Sequence, residues 1–256
     1  MTDHSSTDRQ SAAAADPLPA AEVTHPGGMG ARRVMPTDRQ NHLDPFVLFE
    51  RFFIDSGQGF NTHPHRGFEI VSYMLSGGMA HADSMGEDDV ARPGDAMAIT
   101  TGGGMTHSEL PADDEPCSGL QLWVNLPREK KDVRPRYQGA TSEELPVSEV
   151  EGATVTTVVG EGSPLSLHTE MRYRDVRVSD SWTWDLPEGW AGFAFVISGE
   201  GAVGGASGDG ASIGEAEYVL VEGGESLAFD GEGVRVAVVD GVPHREPIVQ
   251  HGPYVE

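Results

Sequence analysis

Two short histidine-containing runs most constrain what this chain can fold into. The first contains His63 and His65, and the second, roughly forty residues later, contains His107 and Glu109. In a β-strand, side chains two residues apart point to the same face of the sheet. Each run therefore directs two potential metal ligands to one side. We expect the four groups to come together if the two runs form neighbouring strands.

Three imidazoles and one carboxylate suit a divalent transition metal such as Fe, Ni, Cu, Mn or Zn, and match poorly the all-oxygen shell of Ca²⁺ or Mg²⁺. If four protein groups bind an ion that accepts six ligands, two positions stay open, which is typical of a reactive site. An isolated His-Pro-His run also occurs by chance in loops. The two runs together, beside Gly-rich turns and apolar segments, favour the metal interpretation.

Glu69 and the other histidines are weaker candidates for metal ligands. Glu69 follows His65 by four residues and has the same strand parity, so it could be a ligand or an acceptor that orients an imidazole. Four further histidines have no partner at ligand spacing, and we interpret them as ordinary histidines: His81, His168, His244 and His251.

Composition and local pattern predict an all-β protein. The 256 residues include 33 Gly and 17 Pro, which separate many short apolar runs. Short strands joined by frequent turns are typical of small barrels and jelly rolls. The predicted strands fall into two halves, so we predict two barrels in tandem. They are Phe46–Phe53, Phe68–Leu75, Asp95–Thr100 and Gly119–Asn125 in the first half, and Thr154–Val159, Tyr173–Val178, Gly192–Ile197, Tyr218–Val221 and Val234–Val239 in the second.

The chain divides into three predicted segments. Residues 1–27 are rich in Ala and polar residues and lack an amphipathic pattern, so we predict a disordered tail. Residues 28–133 form the metal-binding domain, and residues 134–256 form a second domain without a His-x-His pair and hence without a metal site. The runs Met74–Gly78 and Val196–Gly201 resemble each other, which indicates an internal duplication.

Charge and the remaining composition restrict location and partners. The chain has 41 acidic and 17 basic residues, a net charge of −24, and we interpret this excess as adaptation to a salt-rich cytosol. No basic stripe is present to bind nucleic acid directly. No apolar stretch is long enough to span a membrane, and the first residues lack the basic and then apolar pattern of a signal peptide. Cys117 is the only cysteine, so no disulfide can form within the chain. We therefore expect a cytoplasmic monomer.

The motifs resemble the pirin family of the cupin superfamily from about residue 28 to the end of the chain. The run from His63 to Glu69 followed by Val71–Tyr73 is similar to the family's first motif. Pro93–Asp95 leading to the run from Gly104 to Glu109 is similar to its second. Four further segments agree in order and spacing: Leu43–Phe46, Phe49–Phe52, Gly119–Leu126 and Pro243–Tyr254.

This resemblance implies two tandem cupin domains with jelly-roll β-barrel folds. It implies an Fe(II)-type centre in the first barrel, held by His63, His65, His107 and Glu109, with Mn, Ni, Cu and Zn as the other candidates. It also implies a second barrel without metal. The general cupin pattern would nominate Glu69 as the carboxylate ligand, whereas the pirin pattern nominates Glu109, and we follow the pirin pattern.

The resemblance also implies two functions of different classes. Family members are described as quercetin 2,3-dioxygenases that open flavonols, and as regulators that bind a transcription factor or a metabolic enzyme. We favour an oxidoreductase that acts on a small aromatic, flavonol-like substrate with Glu109 as its general base, and we keep a metal-dependent module with a protein partner as the alternative. Six apolar residues could form pocket wall or plain core: Phe68, Tyr73, Met74, Met97, Met105 and Trp123.

Overall fold

The computed structural model describes residues 16–205 and 210–256, and over these residues the chain is built from strands and turns. Its regular elements other than strands are two 3₁₀ turns, Ala112–Asp114 and Arg128–Lys130. No helix in these ranges has the length and apolar character needed to cross a membrane.

The first twelve strands are β1 (Leu18–Pro19), β2 (Ala21–Thr24), β3 (Gly30–Met35), β4 (Phe46–Ile54), β5 (Phe60–His65), β6 (Phe68–Ser76), β7 (Met79–Asp83), β8 (Asp88–Ala91), β9 (Ala96–Thr100), β10 (Met105–Pro111), β11 (Cys117–Asn125) and β12 (Arg136–Ala140). The next twelve are β13 (Val147–Val150), β14 (Ala153–Val159), β15 (Met171–Val178), β16 (Ser181–Asp185), β17 (Ala191–Ser198), β18 (Glu200–Gly204), β19 (Ala211–Gly214), β20 (Glu217–Glu222), β21 (Ser226–Asp230), β22 (Arg235–Gly241), β23 (Gln250–His251) and β24 (Tyr254–Val255).

Each half of the chain forms a large and a small antiparallel sheet. In the first half, seven strands run in the order β12-β9-β6-β11-β4-β3-β2, and four in the order β5-β10-β7-β8. Side chains that alternate along β6 fill two different cores: Met74 packs inside the first barrel, whereas Val71 and Tyr73 point to the other half. This two-sided burial explains why apolar residues predominate on both faces of β6.

The second half repeats this topology, with sheets ordered β1-β20-β17-β22-β15-β14-β13 and β16-β21-β18-β19. Position by position, β17 corresponds to β6, β22 to β11 and β21 to β10. The predicted all-β fold with two tandem cupin barrels is confirmed, and the matched strand order agrees with an internal duplication. Every strand predicted from the sequence is present, with ends displaced by two residues at most.

Both predicted domain limits need correction. Residues 1–15 of the predicted tail lie outside the described residues, but residues 16–27 are not a disordered tail: β2 pairs with β3, and β1 pairs with β20 of the second barrel. The limit at 133/134 is also wrong, because β12 pairs with β9 of the first barrel. Without these two short strands, β20 and β9 would be open edges of their sheets. β1 and β12 supply the backbone hydrogen bonds that those edges would otherwise lack.

The two barrels pack through the outer faces of their large sheets. Phe49 of β4 meets Phe193 and Phe195 of β17 with ring centroids 4.7 and 5.5 Å apart. Among these apolar contacts lies the fully buried carboxylate of Asp175, which accepts hydrogen bonds from the Tyr73 hydroxyl at 2.9 Å and from Arg235 at 2.7 and 2.9 Å. Tyr73 is therefore an interface residue and not pocket wall.

Aromatic side chains fill the second barrel where the first carries histidines. In the pairing of β16 with β21, Trp182 lies opposite Phe229, as His63 lies opposite His107 in the first barrel. Trp184 takes the place that corresponds to His65 and is fully buried. Trp and Phe offer no metal ligand, so the corresponding positions of the second barrel cannot hold an ion as the first barrel could.

Candidate metal centre

Strand pairing brings the predicted histidines together inside the first barrel. In the antiparallel pairing of β5 with β10, His63 lies opposite His107 and His65 lies opposite Met105. The three rings of His63, His65 and His107 converge with centroids 4.5 to 4.9 Å apart. One ligand nitrogen from each lies within 4.8 Å of the others, so the group could hold a metal ion.

Hydrogen bonds on the outer nitrogens orient two of these rings. Nδ1 of His63 donates to the carbonyl of Asn61 at 2.7 Å, and Nδ1 of His65 donates to the carbonyl of Pro253 at 3.3 Å. A proton on Nδ1 leaves the Nε2 lone pair free to coordinate. Nε2 of His63 lies 3.1 Å from Nε2 of His107, so these nitrogens aim at the same region, as shared ligands of one ion would.

Burial keeps the inner two imidazoles neutral. It lowers the pKa of both His65 and His107 to about 3, and the neighbouring imidazoles add to the shift because their positive charges would repel one another. A histidine must be neutral to bind a metal. The site therefore has its inner nitrogen ligands available at neutral pH without having to release a proton.

These pKa values make the stability of the metal-free protein depend on pH. Below about pH 6.5 the unfolded chain takes up protons on both rings, whereas the folded chain does not until about pH 3. The free energy of unfolding should therefore fall as the pH drops through this window, by at most about 2 kcal/mol per ring at pH 5. Urea unfolding of metal-free protein at pH 7, 6 and 5 measures this slope. The double variant His65→Gln/His107→Gln should show a shallower slope, and an equal slope would contradict the prediction.

Glu109 lies beside the histidines, held by neutral donors. It is 2% exposed, and its carboxylate accepts hydrogen bonds from Gln121 Nε2 at 3.1 Å and from Ser72 Oγ at 3.4 Å. The indole of Trp123 in turn donates to Gln121 Oε1 at 3.2 Å. Its ligand oxygen groups with His107 and His81 within 4.8 Å, and not with the full set of three predicted histidines. The carboxylate thus lies beside the histidine cluster, on the side of His107 and His81.

His81 belongs to this site, contrary to the interpretation as an ordinary histidine. It lies opposite Glu109 in the pairing of β7 with β10, is 1% exposed and stacks on Tyr137. Its Nε2 lies 3.1 Å from Asp83 Oδ2, and its buried Nδ1 has no hydrogen-bond partner among the described residues. Only the register of a third strand brings it here, and the sequence offers no signal for that register beyond the His81-x-Asp83 spacing. His168, His244 and His251 are not in either potential ligand group found among the described residues.

Glu69 lies outside the site, so it neither reaches the histidines nor orients one. Its fully buried carboxylate accepts hydrogen bonds from Thr100 Oγ1 at 2.7 Å and from the backbone N–H of His168 at 2.8 Å. Burial raises its pKa. The parity argument from His65 failed because the chain turns at Gly67, with φ of +87°, and passes from the small sheet to the large one.

Apolar side chains and a tight turn enclose the histidines. The ring of His65 packs edge-on against Phe68 and Trp123, whose own rings stack 4.3 Å apart, and Met105 belongs to the same cluster. Met74 and Met97 lie in a separate core cluster. In the Gly-rich turn before β10, Gly102 has φ of +43°, and a Cβ there would lie 2.0 Å from a backbone oxygen, so only glycine fits.

Comparisons with known proteins agree on one family. The family model "Pirin" matches residues 28–124, and the model "Pirin C-terminal cupin domain" matches residues 173–256. The chain is 39% identical to "Pirin" of Mus musculus over 241 residues, which is 89% of this chain and 82% of that protein.

Two solved structures show a similar fold. A quercetin 2,3-dioxygenase from Acinetobacter baumannii matches with a TM-score of 0.83 and 24% identity, over 95% of this chain and 91% of that one. A nickel(II) complex of the bacterial pirin YhhW from Escherichia coli matches with a TM-score of 0.72 and 18% identity, over 88% and 95% of the two chains.

Proposed function

The chain belongs to the pirin family, and we propose that it is a metal-dependent dioxygenase that acts on flavonol-like or related enolisable substrates. The observation that carries the proposal is the convergence of three imidazoles, those of His65 and His107 held neutral by burial, beside a buried carboxylate. The similarity of the fold to a quercetin 2,3-dioxygenase supports the same class of reaction. The second barrel would serve as a packing partner.

We propose that His63, His65, His107 and Glu109 hold one divalent transition metal. Three nitrogen donors and one carboxylate suit Fe(II), with Mn, Ni, Cu or Zn as alternatives, and the nickel in YhhW belongs to a protein of the same fold. Because Glu109 groups with His81 and His107, and not with His63 or His65, its carboxylate would have to turn toward the latter two imidazoles to complete the set. When bound, the ion would bring substrate and O₂ together and stabilise negative charge on the substrate.

Glu109 would remove the proton of the substrate hydroxyl. A flavonol carries a 3-hydroxyl beside a 4-keto oxygen, so it can chelate through open positions and present that proton to a nearby carboxylate. Gln121 and Ser72 donate hydrogen bonds to the carboxylate. Phe68 and Trp123 exclude water from one side of the centre and offer flat apolar surface of the kind that an aromatic substrate needs.

An oxygen-uptake assay tests this function. Protein loaded with Fe(II), Mn(II), Ni(II) or Cu(II) should consume O₂ in the presence of quercetin and bleach the flavonol absorption band, whereas metal-free protein should do neither. Metal-replete protein that is inert toward flavonols and other enolisable chelators would refute the enzyme and favour the alternative, a metal-dependent regulator that binds a protein partner.

We further propose that the protein works as a monomer in a salt-rich cytoplasm, without direct contact to nucleic acid or membrane. At a net charge of −24, salt should stabilise the fold by screening net repulsion, beyond the concentration that screens ordinary ion pairs. Thermal melts at roughly 0.1 M KCl, where the Debye length is about 10 Å, and at molar KCl measure the effect. A melting temperature that stays flat or falls would contradict the salt adaptation.

A further inference from the structure

The end of the chain returns from the second barrel to the first and contacts the histidine motif. We call residues 249–256 the C-terminal strap. Its ends are joined by hydrogen bonds between the backbones of Val249 and Glu256, at 2.8 and 3.1 Å, and β23 pairs with β24 inside it. The strap lies against Arg66 and Gly67, the two residues that follow His65 and connect β5 to β6.

Several independent contacts fix the strap in this position. The N–H of Val255 donates to the carbonyl of Arg66 at 3.0 Å, and the N–H of Arg66 donates to the carbonyl of Pro253 at 3.4 Å. The side chain of Val255 is 2% exposed and packs in the same cluster as Phe68 and Trp123. A Cβ on Gly67 would lie 2.0 Å from the Val255 oxygen, so the close approach requires glycine at this turn.

Lys131 ties the strap to the first barrel. Its ammonium group donates to the carbonyl of Val255 at 3.1 Å, to the carbonyl of Gly67 at 2.8 Å and to Asn125 Oδ1 at 2.5 Å. These three acceptors use all three of its protons. Lys131 is one of two lysines in the chain, and it is half-buried, so its ammonium group has a structural role in holding the strap.

We propose that the C-terminal strap is a positioning element of the metal centre, which acts through the carbonyl of Pro253 on the imidazole of His65. That carbonyl accepts the Nδ1–H of His65 at 3.3 Å, from a residue 188 positions away in sequence. The bond fixes the tautomer with its lone pair on Nε2 and holds the ring plane, as outer hydrogen-bond partners do for metal-bound histidines. The second barrel would thereby set the metal affinity of the first. This proposal rests on the proposed metal centre and does not depend on catalysis.

Removal of residues 253–256 tests the proposal directly. In metal-free protein, long-range ¹H–¹⁵N NMR shows which ring nitrogen of His65 carries the proton. It should report Nδ1–H in the wild type and a mixture of tautomers in the truncated chain. Ni(II) affinity, measured by competition with a chelator, should fall about 10–100-fold on truncation, the usual effect of losing such a partner. Tyr254→Ala is the matched control, because it changes the strap but keeps the Pro253 carbonyl and should retain both properties.

Lys131→Met is the second variant and decides the matter if the truncated chain does not fold, as judged by circular dichroism. It should loosen the strap and shift both properties in the same direction as truncation. A folded variant lacking residues 253–256, or a folded Lys131→Met chain, that keeps the wild-type Nδ1–H signal and Ni(II) affinity would overturn the proposal. A wild type that binds no Ni(II) would overturn the metal centre as well. A wild type that binds Ni(II) but leaves quercetin unchanged would overturn only the enzymatic function.

Discussion

Replacing Glu109 by Gln is expected to lower the rate of flavonol oxidation per bound metal by ~10²–10⁴-fold, the usual effect of losing a positioned general base. The amide keeps the size of the side chain and one acceptor oxygen, but it cannot accept the substrate proton at neutral pH. Gln121 can still donate to the amide oxygen, and the Ser72 hydroxyl can turn to accept from the amide nitrogen. Oxygen uptake and bleaching of the flavonol band, both divided by the metal content of the same sample, measure the loss.

Glu69→Gln is the matched control for this variant. It removes a second buried carboxylate from the same barrel, but one that binds Thr100 and the backbone of His168 away from the histidines. Because burial already raises the pKa of Glu69, a neutral side chain should be tolerated there. Activity that survives undiminished in the metal-loaded Glu109→Gln variant would retain the enzyme but exclude Glu109 as its base. Equal loss in both variants would indicate a general effect on the fold.

The histidine cluster could be predicted because its information is local. The alternation of side chains along one strand places His63 with His65, and the same rule places His107 with Glu109. The structure adds the pairing of β5 with β10, which sets His63 opposite His107. The parity rule failed at Glu69 because it assumes an unbroken strand, and the glycine at position 67 turns the chain into another sheet.

Residues that reach the site from distant strands could not be predicted in this way. His81 arrives through the register of β7 with β10, and Gln121 through the position of β11 in the opposite sheet. Neither has a neighbour in sequence that marks it as part of a site. The contact of His65 with the Pro253 carbonyl is harder still to predict, because every residue has a backbone carbonyl and no sequence motif marks this one.

The pairing of β1 with the second barrel and of β12 with the first also depends on distant parts of the chain. β1 and β12 are short, and each has little amphipathic pattern of its own. Their positions are decided by which edge is open: β20 accepts β1 and β9 accepts β12. A boundary drawn from composition alone therefore assigns both strands wrongly. The long central strands are predictable because burial on both faces makes them predominantly apolar.

Replacing His107 by Ala is expected to reduce the bound metal from about one ion per chain to a small fraction of that, because loss of one ligand removes both affinity and geometry from a four-ligand site. His107 is the strongest position for this test, since it belongs to both potential ligand groups, with His63 and His65 on one side and with His81 and Glu109 on the other. Elemental analysis of freshly purified, folded protein measures the metal content, and His65→Ala should lose most of the metal as well.

His81→Ala and Glu69→Gln complete the series and separate the two ligand groups. If the ion is held by His63, His65 and His107, the His81→Ala variant should keep most of the metal. A loss equal to that of His107→Ala would place the ion in the second group, with His81 and Glu109. Glu69→Gln should keep its metal in either case, because its hydrogen bonds go to Thr100 and His168. A His107→Ala chain that retains full metal content would contradict the assignment of the histidine cluster as the metal centre, whatever activity it shows.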